Sequence, residues 1–584
     1  MNNIEPGLVN KRHTLAHLLA AAVLELYPDA KPTIGPAIDN GFYYDFEFSA
    51  PITEEDLPKI EKKMRSLLPS WKEMSGKEIS SDEAQTTFKT NSYKLELIDE
   101  IIGKGEKITL YTAGNFTDLC RGGHTENPAK EIAADSFTLV RIAGAYWRGS
   151  EKNKMLTRIY GLAFENKKAL DEYENMLKEA EKRDHKKLGK DLDLFLIDEE
   201  VGRGLPMWTP KGTAIKFVLE KYTRDLETKY GYEHVSTPYL GSEKLYKTSG
   251  HLDHYKKNMY APIDMDGDIF YLRPMACPHH IRMLLRKPLS YRDLPVRYAE
   301  IADYNRYEKS GELMGMIRLR KFQLTDAHIF VSPEGLKEEF INVCRLIQEG
   351  MKGLGLDSSV NYRFSKRDPN NKEKYFPDDE LWNKAEKVMK EALDETGLQY
   401  TEALDEAAFY GPKLDIQARN VNGKEDTLFT AQIDFLLPEK FDINYTAKDG
   451  SKQRVVMIHR SAIGALERTF AFLIEHYGGN FPLWLAPVQV KVIPVGDAYF
   501  DHAKKINDEL RSNSMRSEVD LSDDGFGKKI RNAKTARIPY FIIIGEKDVA
   551  VNKVTLESRD RGQVGQLGVE EVLKMLEIET KNKK

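Results

Sequence analysis

Two groups of cysteine and histidine residues stand out in a chain that contains only three cysteines, Cys120, Cys277 and Cys344. The first group is discontinuous. His13 and His17 fall at i, i+4 in KRHTLAHLL, so on a helix they share one face. Cys120 and His124 follow in DLCRGGH, beside Asp118. Such a set suits a metal ion, a pair of acid–base groups, or scattered structural residues, and residue types alone do not separate the three. The second group lies in PMACPHHIRM, residues 274–283, where Cys277 stands next to His279 and His280. Read as a strand, adjacent histidines point to opposite faces, which makes a local metal trio poor geometry. No CxxC pair accompanies it, so from residue types a buried thiol is the better reading.

A third group is built from charge. In NRYEKSGELMGMIRLRKF, residues 305–322, Arg306 and Glu308 alternate along an expected strand. Gly311 and Gly315 bracket a loop, and Arg318 and Arg320 share a face on the returning strand. The planar guanidinium fork grips phosphate bidentately, and a carboxylate beside it can accept from an amino group such as that of adenine. A salt-bridged surface hairpin accounts for the same residues. Farther on, GALERTF (464–470) sets Glu467 and Arg468 in an otherwise apolar helix.

These groups sit in a long chain of mixed elements. At roughly 100–200 residues per domain, 584 residues imply about three or four domains. A composition 41% hydrophobic and 31% charged can bury several cores and is neither disordered nor membrane-like. No apolar run reaches the roughly 20 residues of a spanning helix, and MNNIEPGLVN has no signal-peptide pattern. Three distant cysteines argue against a disulfide framework and for a reducing, cytoplasmic setting. The net charge of −5 neither points to nucleic acid nor excludes it, since binding depends on local basic faces.

Residues 11–27 read as an amphipathic helix with Leu15, Leu18, Leu19 and Val23 on one side, and GPAIDNGFYYDFEF reads as a hairpin turning at DNG. The charged stretch 164–190 reads as a largely solvated helix linking two domains. After the proline-containing joint FPLWLAPVQ, the last hundred residues alternate strand, helix, strand, helix, strand, strand, helix, an α/β pattern with basic patches in KKIRNAK, KTARI and ESRDRGQ. No glycine-rich phosphate loop of the GxxxxGK[ST] type is present.

The order of Pro238 in VSTPYL, the NRYE…RLRKF segment and GALERTF resembles the three motifs of class II aminoacyl-tRNA synthetases. TSGHLDHYKKNMY, RPMACPHH, TDAHIF, FYGPKLDI, VVMIHRSAIGALER and FPLWLAPVQV, with RHTLAHLLAAAV, DLCRGGHT and GAYWRGSEKNKMLTRIYG, narrow the resemblance to the threonyl-tRNA synthetase family over essentially the whole chain. The resemblance implies an α+β multidomain protein: an N-terminal α+β editing domain (1–163), a linker helix (164–190), a class II catalytic domain on an antiparallel sheet (191–485) and a C-terminal α/β anticodon-binding domain (486–584). It implies a cytoplasmic homodimer, with Pro238 in the interface motif, that binds ATP with Mg2+, threonine and tRNA(Thr) and no membrane.

The resemblance also assigns residues. Arg306 would hold the α-phosphate, Glu308 the adenine amino group and Phe322 the adenine ring, while Arg318 and Arg468 would take the outer phosphates; Arg306 and Arg468 are the catalytic pair. Asp326, Tyr410, Lys413 and Gln432 would surround the amino acid. Cys277 would join His328 and His459 around one Zn2+ per subunit, and His280 has no ligand role. Three ligands leave a position open, so the metal can test for the hydroxyl that valine lacks, where an apolar pocket discriminates such isosteres by only about 10². Serine keeps the hydroxyl and lacks a methyl worth about 1–3 kcal/mol, which calls for a second, hydrolytic site. His13, His17, Lys94, Asp118, Cys120 and His124 match that editing site, with zinc an alternative there, and Arg559 and Arg561 match the anticodon region.

The chain departs from the family pattern at several points. MNCPGH is MACPHH here, FTQDDAH is FQLTDAH with Leu324 in place of a polar side chain, and Thr427 and Ala465 stand where glutamine and serine are usual. These changes flank the implied threonine and ATP pocket and bear on stringency. Most relatives open with a small ubiquitin-like domain, which this chain is expected to lack. The rivals are a prolyl or seryl enzyme, disfavoured by the two Cys/His sets, and a non-catalytic RNA-binding paralogue, disfavoured by the joint presence of Arg306, Glu308 and Arg468.

Overall fold

Strand alternation sorts the middle of the chain into two faces. Ala327, Ile329 and Val331 alternate with Asp326 and His328, and Ala431 and Ile433 alternate with Gln432 and Asp434. A strand sends successive side chains to opposite sides, so one face of such a sheet is apolar and the other carries the polar groups. The computed structural model, which describes residues 6–421, 423 and 425–583, has this arrangement. Residues 1–5 of the N-terminal segment read as lacking a signal lie outside the described residues.

Eight strands form one sheet in the order Glu233–His234, Val296–Asn305, Lys321–Val331, Val456–Ala465, Glu425–Asp434, Lys413–Arg419, Val360–Lys366, Tyr400–Leu404. All pairs are antiparallel except the outermost pair at each edge, which is parallel. The expected antiparallel sheet is therefore present. Helices Pro210–Lys229, Leu336–Leu354, Asp379–Thr396 and Leu466–Tyr477 contribute to one core with the apolar face, where Ala327, Ile329, Ile433 and Ile458 are fully buried. The opposite face displays a transverse row: His328 pairs with His459, His459 with Gln432, and Gln432 with Lys413. Residues directly opposite on antiparallel strands lie on the same face, so four residues spread over 132 positions become neighbours.

By contact, the chain divides into two units, Met1–Lys178 and Glu179–Lys584. In the first, helix Pro6–Leu26 packs with the sheet Lys31–Pro32, Gly41–Glu47, Met155–Ala163, Phe137–Tyr146, and a smaller sheet joins Ser75–Ile79, Ile108–Ala113 and Phe116–Leu119. The expected hairpin forms between Ala37–Ile38 and Gly41–Glu47. The first helix is not amphipathic. Ala16, Ala20 and Ala22 are as fully buried as Leu18, Leu19 and Val23, because small side chains let neighbours close in on every side. The C-terminal region forms the expected alternating elements on a five-stranded sheet, and adds the hairpin strand Gly562–Leu567 and a short helix Glu546–Ala550.

Three local expectations are corrected. The linker is two helices, Lys167–Arg183 and His185–Asp191, broken where the Asp184 side chain accepts from the Lys186 amide. His185 is buried and bonds Glu475 at 2.7 Å, so the second helix is not a solvated connector. MACPHH is not a strand: Cys277 opens helix Cys277–Leu284, with Pro278 in the first turn where its missing N–H costs nothing. The strand leading to Arg306 ends at Asn305 and the return begins at Lys321, so Arg306, Glu308, Arg318 and Arg320 occupy the connecting segment.

Gly411 shows how tightly the site face is packed, since a Cβ there would sit 1.8 Å from the Ile433 carbonyl oxygen. Gly411→Ala is expected to destabilise the second unit by about 1–3 kcal/mol, as overpacking does. Gly311→Ala, where nothing lies within 4 Å, is expected to leave the calorimetric melting midpoint unchanged.

Candidate functional site

Helix geometry decides which parts of MACPHH converge. Positions i, i+3 and i+4 share a side, so Cys277, His280 and Ile281 turn inward. His279 turns away and bonds the Leu240 carbonyl at 3.1 Å. The Cys277 sulfur meets His328 and His459 from the sheet row, with one donor atom from each lying within 4.8 Å of the others. The residues the resemblance joins, 182 positions apart at their extremes, are thus brought together.

Each imidazole also has a second partner. His459 Nε2 bonds Asp434 Oδ2 at 2.7 Å, and Asp434 in turn caps the backbone amides of Leu436 and Leu437. His328 Nδ1 lies 2.8 Å from His280 Nδ1. Burial raises the Cys277 thiol well above its ordinary range, and the Asp326 and Asp434 carboxylates raise it further. One sulfur and two imidazole nitrogens, Cys277 and His328 buried and His459 half-buried, with the free imidazole edges held by other groups, are the donor chemistry of a zinc site.

Polar side chains surround this trio. Asp326 accepts from Tyr304, whose hydroxyl also accepts from the Ala276 amide at 2.9 Å. Tyr410 donates to Gln432, and Lys413 bonds Asp415 at 3.0 Å. His251 brings Nε2 within 3.9 Å of the Cys277 sulfur. It lies in TSGHLDHYKKNMY, and the sequence reading gave it no role; a histidine opening the four-residue helix His251–His254 has too little periodicity around it to mark it.

The charged group occupies the neighbouring stretch. The Arg306 guanidinium lies over Phe322, 5.1 Å from the ring centroid. Glu308 holds Arg318 through both Nε (3.1 Å) and NH2 (2.9 Å). Arg468, at the start of helix Leu466–Tyr477, bonds the carbonyls of Ile317 and Thr427 at 3.0 and 2.7 Å. Burial lowers its pKa, and the charges of Arg306 and Arg318 lower it further. Converging guanidinium groups that repel one another make a site for a polyanion.

The first unit holds the other cluster, in a cavity of about 370 Å³. His13 and His17 come from helix Pro6–Leu26, Asp118 from strand Phe116–Leu119, and Lys94 from helix Ser92–Gly103. The Cys120 sulfur lies 3.2 Å from His124 Nε2 and 3.5 Å from His13 Nε2. Asp118 pairs with Lys94 at 2.5 Å and with His17 at 3.2 Å. Tyr44, which the sequence reading missed, donates to Asp118 and accepts from Lys94 at 3.1 Å. Its signal was a polar tip among the inward phenylalanines of FYYDFEF. Burial raises the Cys120 thiol, but hydrogen bonds from His124 and His13 and the charge on His17 outweigh it and bring it down to about 3. Burial likewise lowers His17, yet Asp118 and Cys120 lift it to about 9. His17 Nε2 and His124 Nδ1 are buried without a hydrogen-bond partner, which marks places for water or substrate atoms.

The two C-terminal arginines differ. Arg559 is committed internally, with NH1 on the Arg537 carbonyl (2.8 Å) and NH2 on that of Phe481 (3.2 Å). The Arg561 side chain is 59% exposed and pairs with Glu579.

Comparison with known proteins matches three regions of the chain. The chain matches the tRNA synthetase class II core domain (G, H, P, S and T) over residues 256–477, an anticodon binding domain over 489–579, and the threonyl and alanyl tRNA synthetase second additional domain over 108–160. It is 49% identical over 573 residues to the threonine–tRNA ligase of Geobacillus sp. (strain WCH70), covering 98% of this chain and 88% of that one. Threonine–tRNA ligase 1 of Bacillus subtilis (strain 168) is 48% identical over 99% of this chain and 89% of its own. A crystal structure of the RNA binding domain of threonyl-tRNA synthetase from Cryptosporidium parvum Iowa II superposes with TM-score 0.63 at 34% identity, covering 68% of this chain and 98% of that one.

The ionised sulfur in the first unit is open to measurement. The alkylation rate of Cys120 by iodoacetamide is expected to be nearly flat from pH 5 to 8, whereas a thiol of ordinary pKa, about 8.5, would gain roughly tenfold per pH unit. A rate that climbs tenfold per unit would refute the low pKa; mass spectrometry separates Cys120 from the buried Cys277 and Cys344.

Proposed function

The chain belongs to the threonine–tRNA ligases, and from that premise we propose how its two clusters divide the work of charging tRNA(Thr) and clearing its errors. The reaction joins threonine to tRNA at the expense of ATP. The threonine carboxylate oxygen attacks the α-phosphorus, the bond to the β-phosphate oxygen breaks, and pyrophosphate leaves. The ribose hydroxyl of the tRNA end then attacks the carbonyl carbon of the adenylate, and AMP leaves.

Arg306 holds the α-phosphate and stabilises charge as it develops there, which is the largest contribution a site of this kind makes. Phe322, already beneath the Arg306 guanidinium, takes the adenine ring. Glu308 meets the adenine amino group, and Arg318 and Arg468 take the outer phosphates together with Mg2+. Glu308 and Arg318 pair at 2.9 Å, so each must turn from the other to reach its part of ATP. Asp326, Tyr410, Lys413 and Gln432 orient the amino acid and its phosphoryl partner beside the metal-ligand trio.

Cys277, His328 and His459 would hold zinc, which would supply Lewis acidity toward an amino group and a β-hydroxyl, the latter a group that valine lacks. The observation that carries this reading is the convergence of the three donors, drawn from a helix and two strands, within 4.8 Å. Serine passes that test, and its removal falls to the first unit. There Lys94 and Tyr44 fix Asp118, and Asp118 holds His17. The charged His17 and thiolate Cys120, with His13 and His124, place water against the ester bond of misacylated tRNA. The enzyme acts as a homodimer with Pro238 in the interface motif, and Arg561 faces the anticodon.

Pyrophosphate–ATP exchange tests the reading. Strong exchange with threonine, weaker with serine and none with valine is expected, with threonine's preference over valine falling in Cys277→Ala to the roughly 10²-fold or less that an apolar pocket supplies. No exchange with any amino acid by folded, zinc-loaded protein would instead favour an RNA-binding paralogue.

A further inference from the structure

His280, which neither the sequence motif nor the donor trio uses as a ligand, is completely buried beside His328. The two rings meet edge to face through their Nδ1 atoms, 2.8 Å apart. One of these nitrogens must donate and the other accept, and the far side of His280 decides which. His280 Nε2 lies 3.0 Å from Glu300 Oε2. That carboxylate is already saturated with donors: Arg273 NH2 (3.0 Å) and the Thr237 amide (3.2 Å) on one oxygen, the Thr237 hydroxyl (2.7 Å) on the other. Every neighbour presents an N–H or O–H, so Glu300 accepts throughout and His280 must donate from Nε2. With its hydrogen on Nε2 toward Glu300, His280 presents Nδ1 as the acceptor of His328 Nδ1–H.

We propose that His280 is the positioning residue of the metal site: held by Glu300, Arg273 and Thr237, it locks His328 in the tautomer whose Nε2 lone pair faces Cys277 and His459. The proposal rests on the reading of the trio as a zinc site and adds what makes His328 a competent ligand. With the opposite tautomer, His328 Nε2 would carry hydrogen and could not bind metal. The nearby Asp326 does not enforce that opposite state, because its oxygen lies 3.7 Å from His328 Nε2 and is occupied by Tyr304.

Glu300→Gln is the sharpest variant. A glutamine can keep its carbonyl on Arg273 and turn its NH2 toward His280, which inverts both tautomers with almost no change in shape. Zinc affinity, measured by competition with a chromophoric chelator, is expected to fall about 10–100-fold, the range for lost outer partners of metal-bound histidine. His280→Leu is expected to fall similarly. His280→Asn, whose Oδ1 takes the place of Nδ1, is expected to recover most of the affinity and the wild-type visible spectrum of the cobalt(II)-substituted protein. Folded Glu300→Gln and His280→Leu proteins that bind zinc as tightly as wild type, with unaltered cobalt spectra, would overturn the proposal while leaving the zinc reading intact. If His280→Leu fails to fold, Glu300→Gln and His280→Asn decide alone. A wild-type protein that binds no zinc would overturn both readings together.

Discussion

The register between strands Lys321–Val331 and Val456–Ala465 is the constraint on which the catalytic site depends. It sets His328 opposite His459 and, through the next strand, Gln432 and Lys413 beside them. A slip of one residue would carry His459 to the helix-covered face and bring Ile458 to the polar one. What resists the slip is not the polar row but its reverse side. Ala327, Ile329, Ile433 and Ile458 lie completely buried there, and each large aliphatic side chain contributes about 1.5–3 kcal/mol when it leaves water. Ligand geometry on one face is thus held by hydrophobic burial on the other.

The same residue types give opposite chemistry in the two clusters. Cys277 faces the carboxylates of Asp326 and Asp434, and burial with those charges keeps it a thiol until a cation arrives. Cys120 faces imidazoles, one of them held charged by Asp118, and is a thiolate already. Cys277 is buried and Cys120 partly so. The difference lies in the sign of charge each meets: carboxylates keep the first a thiol, and imidazoles draw the second toward a thiolate.

Local patterns were legible where local physics decides them. TDAHIF and TAQID fall on strands whose alternation gives one polar face, and GALERTF, read as a helix, is helical from Leu466 on, with Gly464 and Ala465 ending the preceding strand. The pairing of His328 with His459 was not legible, because 130 residues of chain lie between them and periodicity carries no information about partners; only the family resemblance joined them. MACPHH was misread as a strand because two histidines drew the eye, while Pro278 and the apolar spacing of Cys277, Ile281 and Leu284 held the helical signal. Arg306 and Glu308 looked like strand residues, yet the strand stops at Asn305 where glycines and charges take over. Tyr44, Asp434 and Glu300 escaped notice for a common reason: each acts by holding another residue, and such roles exist only once the partner's place in space is known.

The departures at Ala276 and Leu324 were separate oddities in the sequence, but in the fold they belong to one small cluster with Ala302, Tyr304 and Phe322. An amide restored at 324 alone would be pressed against methyl and ring carbons, and an asparagine restored at 276 alone would meet a leucine; each would strand a polar group where burial penalises it. The two positions are therefore coupled through shared neighbours, and the stability effects of changing them are not expected to add.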